Sequence, residues 1–546
     1  MTVLTADAPS AWLDAAPWLS LVPPLIAVGL VVATKRVMPS LGAGIIAAGL
    51  ILFDGNPLEA ARAIGTALLE IVWVVTGDPD ERGFNDYNAL IILFLFMLGV
   101  ITAFITMSGG ARAFAQWASG HIRTRRGAQG MAALLGVAIF IDDYFNALAV
   151  GQISKPVTDA RKVSRAKLAY LIDSTAAPVC VLAPFSSWGA GIILLVAPIV
   201  AAVGLDHSAL GAFLATVPLN YYAWVALVLV GLVVVLGVDA GPMLKEEERA
   251  LRTGDAIDPS ENPAGELTED LPVKRPGRIL GLIAPFLALT LGVVAALFIT
   301  GYRAAVEAGV QSPSVLAMFE NTQVTHSLAW GGLLGLVVAV GVYLAETAAD
   351  GRFGAKEFGL GWLNGIRSML PAVLVLVLAW VTAALISELG TGEYLAGLVE
   401  SSGLAVAWLP LVLFVVAAAI AFATGTSWGS FGILLPIGGE MLMGVDAPEL
   451  VIPALGAVLA GAVLGDHCSP ISDTTILSAT GAGTSLPLHV NTQLPYALTG
   501  GVASALGYAV LAVTGNGLVG LAVAVGSVIA IVLGVRATGV ARAARA

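Results

Sequence analysis

The sequence predicts an all-α polytopic membrane protein built as an inverted-topology repeat, with two re-entrant hairpins and two broken helices. Three observations carry that expectation. The 546 residues are 58% hydrophobic and only 12% charged, about half the charged fraction of a soluble protein. Several charge-free runs reach the ~20 residues needed to span a bilayer. Polar clusters interrupt such runs, most densely at residues 465–483, GDHCSPISDTTILSATGAG. Irregular polar backbone survives at bilayer depth only where it is buried in protein or lines a cavity.

Composition also excludes. Two cysteines, Cys180 and Cys468, make no disulfide framework. A net charge of −11 spread over loops gives no sign of nucleic-acid binding. The N-terminus lacks a basic stretch, so it does not read as a cleaved signal peptide.

Taken in order, an extra span lies within residues 1–36, near 18–34. A first repeat covers 37–238. It holds spans near 37–53 and 87–108, a polar-tipped hydrophobic segment at about 127–155, a broken helix at about 166–203 and a span at 209–238. Residues 239–278 read as a cytoplasmic linker, a polar and flexible tether. A connecting span at 279–300 leads to the second repeat, 301–513. That repeat holds spans near 327–345 and 368–387, an interrupted segment at about 404–445, a broken helix at about 450–486 and a span near 494–513. A last span near 518–535 and a basic tail fill 514–546.

Basic residues set the orientation, because cytoplasmic loops of membrane proteins are rich in Lys and Arg. With the N-terminus outside and the C-terminus in the cytoplasm, only Arg62, Arg82 and Arg303 of the 26 basic residues lie outside, leaving 23 inside. The walk works only if 127–155 enters from the cytoplasm and returns there, so it reads as a re-entrant hairpin with IDDYFN at its tip. By the same walk 404–445 begins and ends outside and forms a second hairpin, with Thr426 and Ser427 at its tip. Eleven spans remain. A weak echo at a shift of 292 residues pairs Pro178 with Pro470 and Ser186 with Ser478. Residues 57–77 are hydrophobic, but Glu59, Arg62 and Glu70 share a helical stripe, which argues for a helix on the outer face.

The candidate chemistry sits at the interruptions. Asp142 and Asp143 are adjacent carboxylates at the first hairpin tip, where ionisable groups mark an ion or proton path. One of them is expected to cap a half-helix. Asp173 precedes Ser174, Thr175, Pro178, Ser186 and Ser187 in the first broken helix. Asp466, His467, Ser469, Pro470, Ser472, Asp473 and Thr474 form the second. A small cation such as Na⁺ is bound by carboxylates, hydroxyls and unwound-helix carbonyls. The residues place Na⁺ at Asp173 and Asp466, with Asn146 and the neighbouring hydroxyls as support. Asp473 reads as a cap of the resumed helix or as a residue just behind the cation's direct ligands. His467 and Cys468 lack the three or four convergent ligands of a zinc site, so His467 reads as a hydrogen-bond partner or proton relay. Trp188 and Trp428, each between Ser and Gly, read as packing anchors.

Four motifs, FIDDYFNALAVG, DSTAAPVCVLAPFSSWGA, TGTSWGSFGILLPI and GDHCSPISDTTILSATGAG, resemble the NhaC-type Na⁺/H⁺ antiporters within the ion transporter superfamily. The resemblance covers about residues 132–498. It implies exchange of Na⁺ for H⁺, an inverted-repeat fold with two hairpins, and a site at the broken helices built on Asp142, Asp143, Asp173, Asp466 and Asp473. The family also contains members similar to a malate–lactate exchanger, so an organic acid or amino acid coupled to Na⁺ or H⁺ is the alternative. The expectation is therefore a transporter and not an enzyme, without cofactor, whose cargo is Na⁺ and H⁺. It sits in the plasma membrane, binds no nucleic acid, and is open to forming a homodimer.

Overall fold

Apolar runs of this length can satisfy their backbone in lipid only as helices, and the chain is helical almost throughout. A computed structural model describes residues 10–537, apart from 35, 75–82, 141, 185, 204–207, 259–270, 275–276, 349, 351–352, 402, 404 and 445–446. The first half holds α1 (Ala11–Ala15), α2 (Val22–Thr34), α3 (Val37–Leu52), α4 (Pro57–Glu70), α5 (Asp86–Met107), α6 (Gly110–His121), α7 (Arg125–Ala138), α8 (Asp143–Ala160), α9 (Arg165–Cys180), α10 (Ser187–Val203), α11 (Ala209–Thr216), α12 (Tyr221–Leu236) and α13 (Gly241–Thr253). The second half holds α14 (Leu280–Glu307), α15 (Val315–Glu320), α16 (Val324–Thr347), α17 (Ala355–Glu388), α18 (Thr391–Glu400), α19 (Leu409–Thr424), α20 (Ser427–Gly444), α21 (Val451–Cys468), α22 (Asp473–Ala482), α23 (Leu486–Thr514) and α24 (Gly517–Ala537). Strands β1 (Trp73–Val74) and β2 (Gly83–Phe84) pair antiparallel after α4.

Among the described residues, nine helices are long and apolar enough to cross a membrane. They differ in depth within the protein. The most apolar stretch of α21 is 83% buried and that of α24 is 22% buried, so α21 is interior and α24 faces outward. Around α21 gather the short and broken elements: α19 and α20 on one side, α12 and α23 on another. Next to it α22 packs on α8 and α9, and α7 packs on both α8 and α9. A second group of long helices, α5, α14, α16 and α17, packs mainly on itself, with α3 against α17.

Four interruptions lie in the interior group. One separates α7 from α8, at residues 139–142. One separates α9 from α10, at 181–186. One is the pair Gly425-Thr426 between α19 and α20. One is 469–472 between α21 and α22. Local chemistry explains each. Asp142 caps α8 by accepting the Phe145 N–H at 2.9 Å. Ser186 accepts the Gly189 N–H in the first turn of α10 at 2.9 Å. Gly425 closes α19 in the left-handed conformation, φ 71°, which costs least at glycine. Ser472 caps α22.

Several expectations are corrected. Residues 209–238 are not one span: α11 ends in a turn of 3₁₀ helix at Val217–Leu219 and α12 restarts behind an Asn220 cap, because Pro218 lacks an amide hydrogen for a continuous helix. Pro178 lies inside the last turn of α9 whereas Pro470 lies in the break itself, so the two echoed prolines are placed differently. The start of the tether is ordered: α13 folds back on α9 and α23, with Glu247 buried. The remainder of that tether includes residues outside those described. The segment 404–445 contains an apolar helix, Val406–Thr424, as long as a span, so length alone does not mark it as re-entrant. The helix at 57–70 is present and amphipathic, with Arg62 and Glu59 paired at 2.7 Å on its exposed side.

Candidate functional site

The interruptions converge. A Cβ on Gly425 would sit 2.6 Å from the carbonyl oxygen of Ile471, so the tip between α19 and α20 rests on the break between α21 and α22. Ser469 in that break donates to the Phe422 carbonyl at 2.8 Å. On the other side α8 crosses α22 closely; a Cβ on Gly481 would meet the Ala147 carbonyl at 2.3 Å. The broken ends thus stabilise one another's exposed backbone, as an apolar surround demands.

Between them lies a cavity of about 300 Å³ lined by Asp142, Asp143, Asp466 and Asp473. Its other walls are aromatic (Tyr87, Tyr144, Trp188, Trp428), aliphatic (Ile91, Val324, Leu328) and hydroxylated (Thr325, Thr426, Thr474). No basic side chain is among the described residues that line it. Asp466 is held by two donors: Ser427 reaches Oδ2 at 2.9 Å and Ser472 reaches Oδ1 at 2.5 Å. That joins the α19–α20 tip, the α21 carboxylate and the α22 cap in one chain of hydrogen bonds. Ser472 also meets the Thr474 hydroxyl at 2.9 Å.

Asp473 is not the helix cap that its position suggested. Ser472 takes that role, accepting the Thr475 N–H at 3.3 Å. Asp473 starts the first turn, where a carboxylate meets the positive end of the helix dipole, and accepts the Tyr144 hydroxyl and the Thr474 N–H.

Asp173 stands apart from the cavity lining. It is buried, 1% exposed, and already accepts four hydrogen bonds. His489 Nε2 (3.2 Å), Gln493 Nε2 (2.5 Å) and the Thr475 hydroxyl (3.3 Å) reach Oδ2; the Ser478 hydroxyl reaches Oδ1 at 3.1 Å. His467 lies 3.9 Å from Oδ2. Its Nε2 is 3.1 Å from Ser174 Oγ and its Nδ1 is 2.6 Å from the Tyr222 hydroxyl. Gln493 also donates to the His467 carbonyl at 2.7 Å. Thr475 links the two centres, lying 3.3 Å from Asp173 and 3.4 Å from the Asp466 carbonyl. Two buried atoms of this network, His489 Nδ1 and Gln493 Oε1, have no partner among the described residues.

The remaining candidates are structural in their contacts. Asn146 donates to the Gly136 and Ile139 carbonyls at 2.6 and 2.7 Å and closes the end of α7. Thr175 donates to the Leu171 carbonyl at 2.7 Å. Ser186 donates to the Cys180 carbonyl at 2.6 Å. Thr426 lines the cavity and accepts the Trp428 N–H at 3.3 Å. The side chain of Ser187 lies outside those described. Among the described residues no three His, Cys, Asp or Glu side chains converge on a metal position. Trp188 and Trp428 do pack, with ring centroids 5.7 Å apart, and both also face the cavity.

Reading the residues alone misses Tyr144, Tyr222, Thr475, Ser478, His489 and Gln493. The signal for the last two was present: His489 and Gln493 are four apart, hence on one helical face, but a span begun at Leu494 leaves them in a loop. Tyr222 sits in an otherwise apolar run and carries no such mark.

The family model described as the Na⁺/H⁺ antiporter family matches residues 179–513. A protein of Haemophilus influenzae, described as uncharacterized, is 43% identical over 518 residues, 95% of each chain. The arginine/ornithine antiporter ArcD of Halobacterium salinarum is 33% identical over 189 residues, 34% of this chain and 36% of that one. The malate-2H⁺/Na⁺-lactate antiporter of Bacillus subtilis is 31% identical over 166 residues, 29% of this chain and 33% of that one. With its membrane-length helices and buried carboxylates, this chain is a multi-pass membrane transporter and belongs to the Na⁺/H⁺ antiporter family.

Proposed function

We propose that this protein exchanges Na⁺ for H⁺, with the carboxylates of the broken elements alternately binding cation and proton. The observation that carries the reading is the cavity lined by Asp142, Asp143, Asp466 and Asp473 with no basic side chain among its described lining. Four carboxylates lining one cavity cannot all stay charged without compensation. Cations or protons must supply it, and the two compete for the same oxygens. Asp466 is the residue on which the exchange turns. Ser427 and Ser472 orient it, and its remaining lone pairs are open to cargo. Asp473 and Asp143 add negative charge to the same space. Asp142 is occupied in part by its cap. Asp173, with four donors in place, supports the site from behind through Thr475 rather than offering Na⁺ a free face.

In this reading the α7–α8 and α19–α20 pairs are re-entrant hairpins entering from opposite faces, and the two halves form an inverted repeat that rocks around the cavity. An outside N-terminus and an inside C-terminus are supported by placing 23 of the 26 basic residues in the cytoplasm. The partial relatives carry names for organic exchange of both charge signs, so their names do not choose between a cation and an anion. The lining favours a cation: a carboxylate substrate would meet four carboxylates and no described basic partner.

Everted membrane vesicles test the exchange. Addition of Na⁺ to vesicles holding a preformed pH gradient is expected to dissipate it, and Asp466→Asn is expected to abolish the response while the protein still reaches the membrane. An Asp466→Asn protein that exchanges at the wild-type rate removes Asp466 from the mechanism; a wild type blind to Na⁺ removes the exchange.

A further inference from the structure

The cavity is larger and more aromatic than a bare alkali cation requires. Its ~300 Å³ corresponds to the liquid volume of about ten waters, at ~30 Å³ each. A dehydrated Na⁺ uses oxygens alone, and of the seven aromatic and aliphatic lining residues only Tyr87 and Tyr144 carry one. Those residues are also not scattered. Trp188 stands at the start of α10 and Trp428 at the start of α20, each beside a break, and α10 packs on α20. Their rings lie 5.7 Å apart, and Phe431 packs edge-on to both at 5.8 and 5.5 Å. Gly191 keeps this geometry, since a Cβ there would strike the Trp428 ring at 2.5 Å. Tyr144 adds an aromatic face whose hydroxyl is tied down by Asp473. The result is a box with aromatic walls, an aliphatic side made by Ile91, Val324 and Leu328, and four carboxylates.

That combination has a chemistry of its own. Aromatic faces attract organic cations through the ring quadrupole, most strongly for Trp and where water is excluded. Carboxylates supply the counter-charge, and the aliphatic side accepts an apolar body. Anions are excluded by the charge of the lining, and neutral solutes leave the carboxylates uncompensated.

We infer that the cavity also takes organic monocations, ammonium or guanidinium ions carrying a small apolar body, and exchanges them for protons at the position used by Na⁺. The inference rests on the cavity being the transport site. It adds the class of cargo that the aromatic walls select.

Primary amines are poor probes, because their free bases cross membranes and collapse a pH gradient unaided. Phenyltrimethylammonium has no proton to lose and an aromatic body sized for the box. In everted vesicles containing the protein, it is expected to dissipate a preformed pH gradient, and vesicles without the protein are expected not to respond. Na⁺ and phenyltrimethylammonium are expected to compete. Trp188→Leu is expected to raise the half-saturating concentration for phenyltrimethylammonium about tenfold more than that for Na⁺. A response to Na⁺ with none to phenyltrimethylammonium, and no competition, overturns the inference and leaves Na⁺/H⁺ exchange standing. A response to phenyltrimethylammonium with none to Na⁺ does the reverse. A response confined to malate overturns both. Equal shifts for the two cations in Trp188→Leu remove the aromatic walls from recognition.

Discussion

His489 shows how much one buried side chain can hold. It is fully buried, donates from Nε2 to Asp173, and sits one helical turn from Gln493, which grips the same carboxylate oxygen. Replacing it with Phe keeps the volume but leaves Asp173 with one donor fewer in an apolar surround. An unsatisfied buried acceptor costs about 1–3 kcal/mol, more when charged. His489→Phe is therefore expected to lower the midpoint of thermal unfolding in detergent, and His489→Gln to recover most of the loss. Equal midpoints for wild type and His489→Phe would show that the hydrogen bond carries no stability. At the opposite extreme of exposure, Asp54 ties the N-terminal segment to the end of α3. It accepts the Ser10 hydroxyl at 2.7 Å and the N–H groups of Trp12 and Ala11 at 2.9 and 3.1 Å. The Ser10 hydroxyl, followed by the backbone of Trp12, holds its carboxyl below the usual carboxylate range. A depressed folded value means that the contribution is present above the unfolded value, ~3.9, and is lost as pH falls through the folded one. Proteolysis of residues 10–16 is expected to be slow at neutral pH, faster at acid pH, and already fast at neutral pH in Asp54→Asn.

At the scale of elements, the breaks were legible and the particular hydrogen bonds between them were not. Asp142, Asp143, Asp466 and the hydroxyl clusters stand out in the chain because charge and Pro cannot sit in lipid-facing helix. A cap such as Ser472 is readable only to within a residue, since Ser472 and Asp473 are equally good at that position. The Thr475 N–H, which Ser472 accepts at 3.3 Å, decides in favour of Ser472. Asp173 was legible as a buried carboxylate, but its distance from the cavity was not, because its partners come from α22 and α23, more than 300 residues away. The meeting of the two tips depends on Gly425. Its φ of 71° disfavours any side chain, and its Cβ would lie 2.6 Å from the Ile471 carbonyl. Gly425→Ala is expected to push the α19–α20 tip off the α21–α22 break, detach Ser427 from Asp466, and reduce Na⁺-driven exchange by at least tenfold with the protein still inserted. Wild-type exchange in Gly425→Ala would show that the contact between breaks is dispensable. The opening of α13 was hidden for another reason: KEEER is a solvated pattern by composition, and only Arg125 and the Ser164 N–H, brought close by folding, make a buried Glu247 acceptable.

For the molecule as a whole, α13 ties the interior group together at one end. Glu247 accepts Arg125 of α7 at 2.5 Å and the Ser164 N–H at the cap of α9 at 2.7 Å. Asp239, just before α13, pairs with the buried Lys167 of α9, whose ammonium lies 5.6 Å from the rings of both Tyr170 and Tyr496. The Tyr496 hydroxyl of α23 accepts the Ala240 N–H at 3.0 Å. One short helix and the residues just before it thus connect α7, α9 and α23. These ends carry Arg125, Arg161, Lys162, Arg165 and Lys167, and basic loops face the cytoplasm. The whole clasp is therefore expected on the cytoplasmic side. Breaking a buried ion pair by removing one partner strands the other, at about 3–5 kcal/mol. Glu247→Ala strands Arg125, and Glu247→Gln keeps the shape while removing the charge. With a single cysteine introduced at Ser208, predicted outside, or at Asp255, predicted inside, in a chain otherwise free of reactive cysteine, an impermeant thiol reagent applied to intact cells should label the first and not the second. In everted vesicles the pattern should reverse. Glu247→Ala should leave that sidedness intact while lowering thermal stability and slowing Na⁺-driven exchange, because α7 and α9 lose their common anchor. Labelling of Asp255→Cys from outside intact cells would invert the orientation. A Glu247→Ala protein as stable and as active as wild type would reduce α13 to the plain tether that its composition suggests.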